Sequence, residues 1–151
     1  MPPAGAKPKP GAVTRHPLTH DWVDVEDVPF EGGPDLPAMM AASITLDKSG
    51  PAIRLPWHPR TRDKWNAWRA MPHCKLWGPA EWDFALDAIE IAGLFHHTGE
   101  QKYATELRNR EKVLGTTLDF RRSLRIRYTE PKTNEGGQTA GVTNIADYLN
   151  I

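Results

Sequence analysis

The sequence predicts a mainly α fold: a helical hairpin with short flanking helices, an extended N-terminal arm and a flexible C-terminal tail. Three observations carry this reading. The stretch 55–127 holds five of the six tryptophans and nearly all the helical periodicity. Fourteen prolines and twelve glycines concentrate toward the two ends, so the middle is more apolar than the average composition suggests. Helix start and stop residues also recur through that middle at helix-length intervals. The division that follows is an arm and strap over 1–50, a helical core over 51–130 and a linker with a terminal hook over 131–151. A core of about 75 residues is near the size at which oligomerisation commonly supplies missing burial.

Taken in order, residues 1–20 form an arm in which five prolines delete backbone donors and fix φ. Residues 20–33 then alternate Trp22, Val23, Val25 and Val28 with acids. That pattern fits a short strand, or an extended strap laid on a neighbouring subunit. The run to Pro51 reads as a loop with at most one helical turn near Ala38–Ala42. A first helix is expected over 62–70, with Thr61 as N-cap, Asp63 in the first turn and Pro72 as a stop. Trp65 and Trp68 share one of its faces.

The second helix is expected over 79–97, with Gly78 as N-cap, Pro79 at the first position and Gly99 past the end. Its apolar residues lie on two adjoining stripes, Trp82–Leu86–Ile89–Gly93 and Phe84–Ala88–Ile91–Phe95, leaving Asp83, Asp87 and Glu90 as the polar face. One partner helix cannot cover so much apolar surface, which points to self-association. A third helix, over 100–114, carries Tyr103, Leu107 and Leu114 on its apolar face and ends at Gly115. The short turn between the two implies an antiparallel hairpin. A fourth helix, over 118–126, starts after Thr117 and carries Arg121, Arg122 and Arg125. Beyond Pro131 lies a polar linker and then a small amphipathic hook with Ile145, Tyr148, Leu149 and Ile151. Apolar groups after such a linker usually dock, in cis or on a partner.

A formal net charge of zero conceals blocks of alternating sign. Residues 51–75 carry six Lys/Arg against one acid, residues 76–106 one against six, and residues 107–130 seven against three. Basic blocks flanking an acidic helix can pair with it, or face polyanions. A single cysteine, Cys74, excludes an intramolecular disulfide and a thiolate metal cluster. No apolar run approaches a membrane span and no signal-peptide core is present, so a soluble protein of a reducing cytoplasm is expected.

Three segments together resemble the small subunit of bacteriophage terminase, in the form carried by actinobacterial phages and prophages. They are HDWVDVEDVPFEGGPDLP, LPWHPRTRDKWNAWRAMPHCKLWGPAEWDFALDAIEIAGLFHHTGE and TELRNREKVLGTTLDFRRSLRIRY. Tryptophan spacing, the Trp82-Asp83 helix start and the Leu-Gly-Thr-Thr turn before an arginine-rich helix carry the likeness, over about two-thirds of the chain. Phe120 departs from it, where an arginine is expected after Asp119. The resemblance implies a non-catalytic, ring-forming protein of the host cytoplasm. Its implied partners are double-stranded viral DNA, further copies of itself in a cyclic homo-oligomer, and the terminase large subunit that holds the ATPase and nuclease. It implies no membrane partner. A helix-turn-helix placed at the N-terminus in many relatives is replaced here by the proline-rich arm.

Candidate DNA contacts are Arg54, Arg60, Arg62, Lys64, Arg69 and Lys75 in the first basic block, and Arg121, Arg122, Arg125 and Arg127 in the second. The first block has a competing reading as a solvated face paired to the acidic helix, and the balance tips that way. The second has few acids nearby and tips toward phosphate contact. Trp65, Trp68, Trp82, Phe84, Leu86, Ile89, Ile91, Phe95, Tyr103 and Leu107 are the expected oligomer interface; stacking of Trp65 and Trp68 on bases is the lesser alternative. Ile145, Tyr148, Leu149 and Ile151 are expected to engage the large subunit. His96 and His97 are adjacent, so their side chains diverge, and His73-Cys74 lacks partners at ligand spacing. No metal, no cofactor and no catalytic residue are expected. Competing classes are a dimeric helical DNA-binding transcriptional regulator and a purely structural virion protein.

Overall fold

The computed structural model describes residues 21–45 and 47–133. Four helices dominate: α1 (Pro59–Arg69), α2 (Pro79–Thr98), α3 (Gln101–Leu114) and α4 (Leu118–Ser123), with a 3₁₀ turn over Pro72–Leu76. Among the described residues, four short strands form two pairs: β1 (Val23–Glu26) with β4 (Ile126–Thr129), and β2 (Ser43–Ile44) with β3 (Ile53–Arg54).

Capping explains the helix ends. Gly78 caps α2, its N–H donating to the Glu81 carboxylate at 2.8 Å, and Pro79 occupies the first turn, where no N–H is needed. Gly99 and Gly115 close α2 and α3 in the left-handed conformation, both at φ 70°. Thr117 caps α4 by accepting from the Phe120 N–H.

The first helix starts three residues earlier than expected. His58, not Thr61, is its N-cap, accepting from the Arg60 N–H, and Pro59 is the first helical residue. Thr61 is instead fully buried, with its hydroxyl 2.7 Å from His96 Nδ1. Proline at the first helical position outweighs the local capping preference of threonine.

Within residues 21–33 the strand pairs inside its own chain. β1 runs parallel to β4, pairing Val23 with Ile126, Asp24 with Arg127, Val25 with Tyr128 and Glu26 with Thr129. The expected fourth helix therefore stops at Ser123; Arg125 takes a left-handed conformation at φ 57°, and the chain leaves as a strand. A parallel pair needs a long crossover, here the whole helical region between the two strands. A two-stranded pair is weak alone. It is anchored by Val25, which is fully buried, and by Tyr128, whose hydroxyl lies 2.6 Å from His73 Nδ1.

The core gathers Trp57, Trp65, Trp68, Cys74, Ala85, Ala88, Ile89, Ala92, Leu107 and Leu114, with Met40 and Leu55 from the loop region. That loop answers much of the excess apolar surface of α2. Met40 lies where a Cβ on Gly93 would have to be, and Glu90 accepts the Ala41 N–H at 2.7 Å. The segment after β1 is held as well. Trp65 Nε1 donates to the Pro34 carbonyl at 2.9 Å, and a Cβ on Gly33 would come within 2.9 Å of the Arg69 carbonyl oxygen. Much of the covering of α2 thus comes from its own chain, while Phe84, Leu86, Ile91 and Phe95 stay partly exposed.

Candidate nucleic-acid interface

The first basic block is divided by the fold. Lys64 donates to Glu111 at 2.7 Å and lies over the Trp68 ring, fastening α1 to α3. Arg69 pairs with Asp35 and donates to the Pro34 carbonyl at 3.1 Å. Arg54 Nε donates to the Met40 carbonyl at 2.9 Å. These three are fasteners, and the acids of Lys64 and Arg69 come from α3 and the loop, not from the acidic face of α2. Arg60, Arg62 and Lys75 are exposed and form no ion pair among the described residues.

The second block is brought together. Arg121 lies over the Tyr128 ring at 4.6 Å, and Arg127 over the Trp22 ring at 5.7 Å. Arg127 also holds Asp24 through two hydrogen bonds, at 2.8 and 3.1 Å. That pairing holds the Asp24 carboxyl below the usual carboxylate range. Arg122 is exposed, with Asp119 at 3.8 Å. Arg125 supplies the left-handed turn and is half-buried. Between α4 and β4 these side chains border a cavity of about 300 Å³ lined by Trp22, Leu118, Arg121, Arg122, Ile126, Arg127 and Tyr128.

His73 supports this face from behind. Fully buried, it lies 2.7 Å from the Leu114 carbonyl through Nε2. A carbonyl only accepts, so Nε2 carries the proton and Nδ1 accepts from the Tyr128 hydroxyl. Burial lowers its pKa, against a partly opposing effect of the Leu114 hydrogen bond. Cys74 alongside donates to the Trp68 carbonyl, and burial pushes its thiol up to about 12.

A profile of the family described as phage terminase small subunit matches residues 5–150. The chain belongs to that family. Its role is therefore in phage DNA packaging, as a non-catalytic DNA-recognition subunit whose ATPase and nuclease partners reside in the large subunit. No curated protein and no solved structure matches the chain. Among the described residues of this terminase small subunit, no helix is long and apolar enough to cross a membrane, and no group of His, Cys, Asp or Glu is placed to hold a metal ion.

Of the residues expected at an oligomer interface, Trp65, Trp68, Ile89 and Leu107 are buried within their own chain, because α1, α2 and α3 pack on one another. Trp82 joins an aromatic cluster with Phe30, Trp65 and Trp77. Phe84, Leu86, Ile91, Phe95 and Tyr103 keep partial exposure. Ile145, Tyr148, Leu149 and Ile151 lie outside the described residues. Trp22 is the site residue the sequence reading missed. Its pattern said only that it alternated with acids, and its partner Arg127 is more than a hundred positions away.

Proposed function

We propose that this terminase small subunit contacts double-stranded viral DNA through the arginine face of α4 and β4, assisted by Arg60 and Arg62 on α1. It assembles as a cyclic homo-oligomer in the host cytoplasm, with Phe84, Leu86, Ile91, Phe95 and Tyr103 at the subunit contacts. The terminal segment 145–151 recruits the large subunit. The observation that carries the DNA assignment is the gathering of Arg121, Arg122 and Arg127 around one cavity, with Arg121 in no ion pair among the described residues and Arg122 facing only the exposed Asp119 at 3.8 Å.

Phosphate contact is read from salt dependence. Each neutralised phosphate contributes about 0.9 to the slope of log affinity against log salt. The double variant Arg121→Ala/Arg122→Ala is expected to bind duplex DNA with a slope shallower by about 2, while far-UV circular dichroism stays unchanged. An unchanged slope places the phosphate contacts elsewhere on the molecule.

A further inference from the structure

The cavity at α4 and β4 has a chemistry that duplex phosphates alone do not use. Trp22 is 45% exposed, while the other five tryptophans are buried or half-buried. Leu118 beside it is 56% exposed, and Ile126 and Tyr128 complete the apolar lining. The polar rim consists of guanidinium groups, which donate hydrogen bonds and accept none. Two carboxylates stand near that rim: Asp24, held by Arg127, and Asp119, 3.8 Å from Arg122. The volume, about 300 Å³, is at the small end for ligand sites.

A flat apolar body joined to an anion satisfies both parts of this lining. Arg127 and Arg121 cover part of the Trp22 and Tyr128 rings respectively, and the 45% exposure of Trp22 leaves indole surface open for a further flat group. In a duplex the base faces are stacked inside, so a protein reaches phosphates, sugars and base edges but not the flat faces. An unpaired nucleotide brings its base as well. We infer that the cavity takes one unpaired nucleotide of a DNA strand, its base against Trp22 and its phosphate on Arg121 and Arg122. This rests on the DNA-contact reading above and deepens it: the small subunit favours DNA with a gap or single-stranded end over intact duplex. An acidic peptide carrying an apolar side chain would use the same charges but has no need of flat faces.

Fluorescence anisotropy of the full chain tests this with three probes: a blunt duplex, the same duplex with a short single-stranded gap, and a labelled acidic peptide. The gapped probe is expected to bind about tenfold tighter than the blunt one. Trp22→Ala should bring the gapped and blunt probes to equal affinity, whereas Trp22→Phe should keep most of the preference. Unchanged thermal melting of both variants shows that the fold is intact. Equal affinity for gapped and blunt probes overturns this inference and leaves the DNA-contact reading standing. A preference that survives Trp22→Ala overturns the assignment to this cavity. Binding of the peptide but of neither DNA overturns both readings and makes the cavity a protein-docking site.

Discussion

His73 shows how a single side chain can tie distant segments together. It joins the 3₁₀ turn to the end of α3 and to β4 through two hydrogen bonds. His73→Leu would leave the Leu114 carbonyl and the Tyr128 hydroxyl without this partner, at a cost of about 2–4 kcal/mol. Its lowered pKa is shared by His96, which is brought from 6.5 to about 4 by burial and then by the charges of Arg60 and Lys64. Both rings are kept neutral in the folded chain, whereas in the unfolded chain they take up protons near their ordinary value. Their contribution to stability is therefore complete above pH 6.5 and is lost as the pH falls below it, for His96 toward about 4. Urea unfolding across that window should show stability declining in the wild type and declining less in His96→Gln. A flat wild-type profile would contradict the burial of both rings. In the sequence, His73 was legible only as a residue lacking ligand partners. Its hydrogen-bond partners lie 41 and 55 positions away.

At the scale of elements, the helix boundaries followed local chemistry and the strands did not. Gly115 illustrates the first. It ends α3 at φ 70°, and a Cβ there would come within 3.3 Å of His73 Nε2 and 3.1 Å of Leu124 Cδ1. Gly115→Ala should destabilise the chain by at least about 1–2 kcal/mol, through the left-handed conformation alone, with further loss where the His73 contact shifts. A thermal melt checks this, and an unchanged melting temperature would show that the turn relaxes. The segment 118–126 illustrates the second. Its arginines and leucines are good helix formers, yet the helix ends at Ser123 because Ile126–Thr129 is claimed by β1. Pairing with a distant strand overrides a propensity difference of a few tenths of a kcal/mol per residue. β2 falls in the run to Pro51 that the sequence reads as loop, and β3 just beyond it carries no strand signal, because strands of two residues show no visible alternation.

For the whole molecule, the open quantity is assembly. The loop bearing Met40 covers much of α2, so self-association is proposed to rest on the half-exposed Phe84, Leu86, Ile91, Phe95 and Tyr103. Light scattering on the purified chain is expected to give the mass of a closed multi-subunit ring, and on a chain lacking 145–151 the same number of subunits. The shortened chain is also expected to lose capture of the large subunit in a pull-down. A monomer in the first measurement would remove the cyclic assembly. Retained capture in the second would move the recruiting element into the helical core.

By itself the sequence determined the order of the four helices, most of their ends and the family likeness. The signals for these lie within a turn or two of each boundary: Pro79 and Gly78 before α2, Gly99 and Gly115 after α2 and α3. Tertiary structure alone decided which arginines act as fasteners and which face solvent, that the N-terminal strap closes on its own chain, and that Trp22 meets Arg127. The physical reason is separation along the chain. Ion pairs and parallel strands choose among many distant partners of equal local merit, and only packing selects between them. Asp24 and Arg127 are 103 residues apart, and nothing near either one marks the other.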